Sequence, residues 1–219
     1  MTEPPFGELL VVELDRQVAA GYCGLLFGRL GATIVSVGPP GSRESNDELS
    51  AGKKSITLDA ARPEGAALLR RLAAQADVLL ADDSLLADLD YASLSAQNPR
   101  LVMTCVTNSP DSDGAQRFIG LNAFAATLLP LITMSVLGRG ERIEVDGGEC
   151  IAAAAMLVDG DGESFEPHQG PSAEVPFRVE GVLLLDSAPQ SGRHNDEVYR
   201  GLLGLTDEEM ARLRREAIV

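Results

Sequence analysis

Residues 9–41 read LLVVELDRQVAAGYCGLLFGRLGATIVSVGPPG and contain the clearest indication of the fold class. The apolar run of residues 9–14 is typical of a buried strand, and apolar residues then recur at helical spacing up to Leu30, where Gly31 ends the helix. A second strand follows over residues 32–38 and ends in a Pro-Pro-Gly turn. This strand, helix, strand pattern predicts a parallel unit with a right-handed crossover.

The same alternation continues along the chain. Pro63 stands at the start of a helix over residues 64–75, with one apolar face formed by Ala66, Leu69, Leu72 and Ala73. Further strands are predicted over residues 54–58, 77–81 and 101–107, with a polar helical stretch between the last two that runs to Gln97. Together these elements predict a single α/β domain with a Rossmann-like, open, mostly parallel sheet flanked by helices.

The second half of the chain is less regular. Residues 108–117 are polar and predict a loop, and residues 119–137 predict an Ala- and Leu-rich helix that Pro130 kinks or breaks. Thr206 followed by Glu209 predicts the capped start of a terminal helix. We expect residues 1–157 to form the sheet-bearing core, residues 158–175 to be a linker, and residues 176–219 to pack back on the core.

Composition limits the partners. The chain has 219 residues, 45% of them hydrophobic, and its formal charge of −15 disfavours nucleic acid and anionic lipid. The N-terminus lacks the basic and apolar segments of a signal peptide, and the longest apolar run, residues 123–137, is shorter than the roughly 20 residues that span a bilayer. Three dispersed cysteines lack CxxC spacing. We therefore predict a soluble cytoplasmic protein without a metal site.

Several blocks, taken in order, resemble one enzyme family. They are GRLGATIVSVGPPG (28–41), KKSITLD (53–59), RPEGAALLRRLAAQADVLL (62–80), NPRLV (98–102), GRGER (138–142) and the C-terminal GRHNDEV and LLGLTDEEMARLRREAIV. These blocks are similar to the family III CoA-transferases, the formyl-CoA transferase and carnitine CoA-transferase group. The resemblance implies the family's large-domain fold, with residues 158–175 in place of the inserted small domain of longer members.

In that family the nucleophile is an aspartate that begins an Asp-x-x-x-Gly helix upstream of a Gly-Arg-Gly turn. Counting back 22 residues from Gly138 places Gln116 at this position, with Gly120 as the expected glycine. A carboxylate can attack a thioester and become an acyl anhydride, but a neutral carboxamide cannot carry that intermediate. The resemblance therefore implies a CoA-transferase scaffold without its nucleophile.

The resemblance also locates the coenzyme A site, in which this chain departs from the pattern. Lys53 and Lys54 match a basic pair that lines the nucleotide, and Gln17 matches a position near the pantetheine; alternatively, the lysines are a solvated pair at a strand start and Gln17 ends a loop. This chain has Ser36 where the family has a basic residue, Gly38 where it has an acidic residue, and Asp82-Asp83 where it has an Asn-Phe pair. The implied ligand is coenzyme A or an acyl-CoA, and no cofactor is implied.

Other residues could replace the nucleophile. Asp111 and Asp113 precede Gln116, and three acids follow the Gly-Arg-Gly turn: Glu144, Asp146 and Glu149. The family also contains racemases that use a His and Asp pair, but the only histidines here are His168 and His194, in the linker and the C-terminal block. Neither histidine is placed like a base beside the substrate.

Two functions follow. The first is a reduced, non-catalytic relative that acts as a binding or partner subunit, as a homodimer or beside a full-length homologue. The second is an active acyl-CoA transferase or acyl-CoA-processing enzyme that uses another carboxylate or one from a partner subunit. Loss of the nucleophile together with the basic position at Ser36 and the Asn-Phe pair favours the first.

Overall fold

The computed structural model describes residues 4–14, 18–41, 48–82, 89–110, 112–157 and 186–219. Within these ranges lie one parallel sheet and seven helices. The strands are β1 (Leu10–Glu13), β2 (Thr33–Gly38), β3 (Lys54–Thr57), β4 (Val78–Asp82), β5 (Val102–Thr107) and β6 (Arg142–Asp146). The helices are α1 (Val18–Arg29), α2 (Pro63–Ala73), α3 (Tyr91–Gln97), α4 (Asp113–Leu137), α5 (Gly147–Leu157), α6 (Asn195–Gly201) and α7 (Asp207–Arg215).

The strands lie in the order β3-β2-β1-β4-β5-β6, and every neighbouring pair is parallel. Each residue of β4 and β5 is buried, as expected for central strands covered on both faces. Helices α1 and α4 cover one face around Phe27 and Phe124, whereas α2, α6 and α7 cover the other around Tyr199. The predicted α/β fold with an open parallel sheet is confirmed.

The C-terminal block covers the edge of the sheet at β3. The Ser55 N–H donates to His194 Nδ1 at 3.0 Å, and the His194 N–H donates to the Ser55 carbonyl at 3.0 Å. Two residues further along β3, Asn195 Oδ1 accepts from the Thr57 N–H and the Tyr199 hydroxyl donates to the Thr57 carbonyl. Side chains thus satisfy an edge strand that would otherwise offer unpaired backbone groups to another chain. His194 therefore belongs to this structural contact.

Helix α4 begins earlier than predicted, and of the two alternatives predicted at Pro130, a kink or a break, the break is excluded. It begins at Asp113, so residues 113–117, predicted as loop, form its first turn; Asp113 there lies where an acidic side chain favours a helix N-terminus. The helix also continues through Pro130, which is buried, because tertiary packing of its inner face outweighs the lost backbone hydrogen bond. Its 25 residues are long and apolar enough to cross a membrane, but a single such helix is weak evidence and core helices of soluble proteins share this composition.

The Gly-Arg-Gly turn connects α4 to β6, and its two glycines have separate geometric reasons. Gly138 has a φ of 68°, the left-handed conformation that ends α4. A Cβ on Gly140 would lie 2.1 Å from the Leu101 carbonyl oxygen, so only glycine allows the turn to pass the start of β5. The turn thereby places β6 and α5, which the sequence patterns did not predict, beside β5.

Candidate functional site

The candidate site lies at the carboxyl edge of the sheet. Strands β2 and β3 lie on one side of β1, whereas β4, β5 and β6 lie on its other side. The direction in which strands are added to the sheet therefore reverses between β1 and β4. Open α/β sheets bind ligands in the crevice above such a reversal. Residues 15–17, which follow β1 in sequence, and residues 83–88, which follow β4, lie outside the described ranges. The predicted pantetheine residue Gln17 and the acid Asp83 are among them.

Gln116 lies beside this crevice, in the first turn of α4. Its Oε1 accepts a hydrogen bond from the Val18 N–H at 2.9 Å, and its Nε2 donates to the Pro110 carbonyl at 2.9 Å. Val18 is the first residue of α1, so its N–H has no acceptor within that helix. The carboxamide therefore joins three segments: the start of α1, the loop after β5 and α4. Both of its ends have a partner.

Gly120 brings α4 and α1 together one turn further on. A Cβ at this position would lie 2.4 Å from the Ala19 carbonyl oxygen and 3.1 Å from the Tyr22 Cβ. Close approach of the two helices thus requires glycine here. The Arg117 guanidinium stacks over the Tyr22 ring at 5.7 Å on the neighbouring surface. The glycine expected four residues after the nucleophile position therefore has a packing reason.

Lys53 is buried and forms an ion pair with Glu13. Its Nζ lies 2.6 Å from Glu13 Oε2 and 2.9 Å from the Gly21 carbonyl oxygen in α1, to which it donates. Burial raises the pKa of the Glu13 carboxyl, against the attraction of Lys53 and the hydrogen bond from Ser36. A Cβ on Gly24 would lie 2.2 Å from the same Glu13 oxygen. Lys53 thus binds α1 to the end of β1.

Lys54 lies at the surface and pairs with the C-terminal block. Its Nζ lies 2.7 Å from Glu197 Oε1, and both side chains are more than one-third exposed. The Lys53 ammonium lies against Glu13 and the Gly21 carbonyl, whereas the Lys54 ammonium lies against Glu197 of α6, so the two lysines do not converge on one point. Binding of a CoA phosphate by either lysine is still a prediction.

A second depression lies between α4, β6 and α5. This cleft has a volume of about 570 Å³. Three of the acids that could replace the nucleophile, Glu144, Asp146 and Glu149, line it. The other lining residues are Phe118, Asn122, Ala126, Val145, Cys150, Ala153 and Ala154. Asp146 Oδ1 accepts from the Glu149 N–H and Oδ2 from the Asn108 amide, and these bonds lower the pKa of Asp146. Burial raises the pKa of the Cys150 thiol, which keeps it protonated.

The other candidate groups are placed as follows. Asp113 is exposed in the first turn of α4, and Asp82 is buried at the end of β4, whereas Asp111 and His168 lie outside the described ranges. Two hydroxyl oxygens near the site, Thr107 Oγ1 and Ser109 Oγ, are buried without a hydrogen-bond partner. Among the described residues no group of three His, Cys, Asp or Glu side chains could hold a metal ion.

Sequence reasoning missed the contacts of these residues. The Val18 N–H and Pro110 carbonyl are backbone groups, which no side-chain pattern identifies. The pairing of Lys53 with Glu13 did leave a signal, since Glu13 is the acid within the apolar run LLVVEL and a buried carboxylate requires a cation or a proton.

Comparison with known proteins extends this description. Residues 7–157 match the model of CoA-transferase family III. The chain is 35% identical over 114 residues to human alpha-methylacyl-CoA racemase, covering 50% of this chain and 30% of the racemase. It is 30% identical over 175 residues to the succinate–glutarate CoA-transferase of Agrobacterium fabrum, covering 68% of this chain and 43% of that enzyme.

The fold is also similar to a solved structure. A CAIB/BAIF family protein from Brucella suis superimposes with a TM-score of 0.63 at 25% identity, over 75% of this chain and 60% of that one. The chain thus spans less than half the length of both curated relatives. Because the family match includes all six strands, Gln116 and the Gly-Arg-Gly turn, this chain belongs to CoA-transferase family III.

Proposed function

We propose that this chain is a non-catalytic member of its family that acts as a binding or partner subunit. One observation carries the proposal: the residue at the expected nucleophile position is a glutamine whose amide is used at both ends, by Val18 and by Pro110. A carboxamide cannot form the acyl anhydride that the family's reaction requires. The side chain instead holds the α1 N-terminus against α4.

The charged residues near the site support the proposal that this chain does not process coenzyme A thioesters. The Lys53 ammonium, the candidate phosphate ligand, is buried against Glu13, and Ser36 hydrogen-bonds to that same carboxylate. Asp82 adds an acid at the carboxyl end of β4. A polyanionic ligand needs cations at its phosphates, so we propose weak binding of coenzyme A or acyl-CoA by Gln17, Lys53 and Lys54.

Assembly and location belong to the same proposal. A subunit without a nucleophile acts through what it binds, so we propose a homodimer, or a heteromer in which a longer homologue supplies the carboxylate. Dispersed cysteines and an acidic composition support a cytoplasmic protein that acts on neither nucleic acid nor membrane.

A second candidate is an active acyl-CoA-processing enzyme, and the cleft beside α4 favours it. Glu144, Asp146 and Glu149 converge there, and the low pKa of Asp146 keeps its carboxylate ionised, as a nucleophile requires. The hydrogen bonds from Asn108 and Glu149 to both Asp146 oxygens weigh against this role, because they stabilise the carboxylate in its resting state.

Calorimetry followed by mass spectrometry tests the proposal. The chain is titrated with coenzyme A and with acetyl-CoA, then incubated with acetyl-CoA and a carboxylic acid acceptor before its intact mass is measured. We expect weak or no binding and no covalent adduct. An adduct in the wild-type chain that disappears in Asp146→Asn, but persists in the control Asp113→Asn, would establish the second candidate instead.

A further inference from the structure

A small pocket lies at the amino edge of the sheet, where β5 and β6 begin. Its volume is about 390 Å³, which is within the range of small-molecule sites. Strand β5 separates it from the carboxyl edge by roughly 17 Å, at about 3.3 Å per residue. The side chains that line this amino-edge pocket come from α3, from the turn before β5, and from the Gly-Arg-Gly turn with the start of β6: Tyr91, Ser95, Pro99, Arg139, Glu141 and Arg142.

Hydrogen bonds to the backbone fix the walls of the amino-edge pocket. The Gly140 N–H donates to the Pro99 carbonyl at 2.8 Å, which connects the Gly-Arg-Gly turn to the turn before β5. The Tyr91 hydroxyl donates to the Leu101 carbonyl at 3.3 Å, which holds the α3 wall beside the same turn. The pocket is thus formed before a ligand arrives, so binding does not require the chain to rearrange around it.

Opposite charges line this pocket without pairing. Arg139 and Glu141 flank Gly140, both side chains are exposed, and neither forms an ion pair with any residue that the structure describes. Arg142 has one long contact, 3.4 Å from its Nη2 to Glu144 Oε2, between two exposed side chains. Contacts of this kind contribute little. Two guanidinium groups and one carboxylate are therefore available to a ligand.

The Tyr91 hydroxyl lies where these charges act together. Burial raises the pKa of Tyr91, the negative charge of Glu141 raises it further, and the positive charge of Arg139 opposes both. Two groups of opposite sign thus act on one oxygen atom. The phenol stays protonated and donates to the Leu101 carbonyl, while its oxygen retains lone pairs that can accept a hydrogen bond from a ligand.

This combination of groups favours a ligand that carries both charges. A simple anion would attract the two arginines but be repelled by Glu141, and a simple cation would meet the reverse. An amino acid offers carboxylates, whose planar geometry matches a guanidinium group, and an ammonium group for Glu141 and the phenol oxygen. Two guanidinium groups against one carboxylate leave the pocket with one net positive charge, which an acidic amino acid neutralises.

We propose that the amino-edge pocket binds an acidic amino acid, with its carboxylates at Arg139 and Arg142 and its ammonium group at Glu141. The Tyr91 ring and Pro99 supply the apolar surface for its methylene groups. The site uses none of the residues assigned to coenzyme A, so this proposal goes beyond the proposed function and does not depend on it.

Calorimetric titration with three probes tests the ligand chemistry. Glutamate carries all three charges, N-acetylglutamate keeps both carboxylates but loses the ammonium charge, and 4-aminobutyrate loses the α-carboxylate. We expect glutamate to saturate the wild-type chain below about 10 mM. Because each analogue lacks one charge-assisted hydrogen bond, we expect it to bind at least about 10-fold more weakly than glutamate.

Matched variants test the location and the sign of each charge. Arg139→Gln should weaken glutamate binding about 10-fold or more. Glu141→Gln should weaken glutamate but strengthen N-acetylglutamate, because the repulsion between two carboxylates is removed. The control Arg193→Gln removes the same charge from an exposed arginine beside β3, at the other end of the sheet, and should bind like the wild type. All three variants change exposed side chains, so we expect unchanged melting temperatures.

Four outcomes would overturn the proposal. The first is a wild-type chain that glutamate does not saturate. The second is affinity for glutamate that is unchanged in both Arg139→Gln and Glu141→Gln, which places the ligand elsewhere. The third is equal affinity of the wild type for glutamate and N-acetylglutamate, which leaves a site for simple anions. The fourth is a Glu141→Gln variant that weakens both of these probes equally, since loss of a charge contact predicts opposite changes.

Discussion

Gln116 Oε1 accepts a hydrogen bond from the Val18 N–H at 2.9 Å, across 98 positions of sequence. This bond attaches the first turn of α4 to the first turn of α1, at the edge of the sheet where ligands of such folds bind. The glutamine has therefore acquired a structural contact at the position where the family resemblance places a nucleophile.

The substitution Gln116→Asp should not create transferase activity. The aspartate is one methylene shorter and cannot donate to the Pro110 carbonyl, so we expect a loss of about 1–3 kcal/mol in the free energy of unfolding. Gln116→Glu is the matched control, since it retains the length and the acceptor for Val18 but loses the donor. Urea unfolding and a coenzyme A exchange assay give the two readouts, and exchange by the Gln116→Asp variant would contradict the proposed loss of the coenzyme A site.

Breaking the buried ion pair should destabilise the fold. Lys53→Met leaves the Glu13 carboxylate buried without its cation, which costs about 3–5 kcal/mol. The double variant Glu13→Gln/Lys53→Met removes both charges and should recover most of that loss in chemical denaturation. If Lys53 instead serves only as a phosphate ligand, Lys53→Met will unfold like the wild type and change only the affinity for coenzyme A.

The contact between α1 and α4 should not tolerate a side chain at Gly120. A methyl group there would lie 2.4 Å from the Ala19 carbonyl oxygen, so Gly120→Ala must separate the helices at a cost of about 1–3 kcal/mol. Gly201→Ala is the control: it also lies in a helix, nothing lies within 4 Å of its added methyl, and it should be neutral or stabilising by up to about 1 kcal/mol. Equal melting temperatures for the two variants would refute the close helix contact.

Acid should weaken the attachment of the C-terminal helices. Hydrogen bonds from Arg214, Lys54 and Thr206 lower the pKa values of Asp196, Glu197 and Glu209, respectively. Their stabilisation is therefore present above the unfolded pKa values of about 4 and is lost as the pH falls through the lower folded values. Glu13, whose pKa is raised, has the opposite dependence.

The measurement is the melting temperature between about pH 7 and about pH 3, where we expect a fall that steepens below about pH 4. Glu209→Gln keeps an acceptor for Thr206 but does not titrate, so its melting temperature should fall less. Equal falls in melting temperature for the wild type and for Glu209→Gln would show that the Glu209 carboxylate contributes nothing.

The fold was largely predictable because its signals are local. The apolar runs of β1, β4 and β5 and the helical spacing of α1 and α2 follow from residues next to one another in sequence. The start of α4 at Asp113 was mispredicted, and the helix does not break at Pro130, because packing on α1 overrides the polar loop composition and the proline. Strand β6 and the alanine-rich helix α5 were not predicted, because their formation depends on their place beside β5.

The alternation of strands and helices, the acidic charge and the absence of a carboxylate at position 116 can all be read from the amino-acid sequence, because they depend on residue identity and short-range pattern. Three contacts became visible in the folded chain alone: Gln116 binds Val18, Lys53 pairs with Glu13, and His194 covers Ser55. These partners lie 98, 40 and 139 positions apart. Contacts of that separation depend on which strands become neighbours in the sheet, and the sheet order arises from packing of the whole chain.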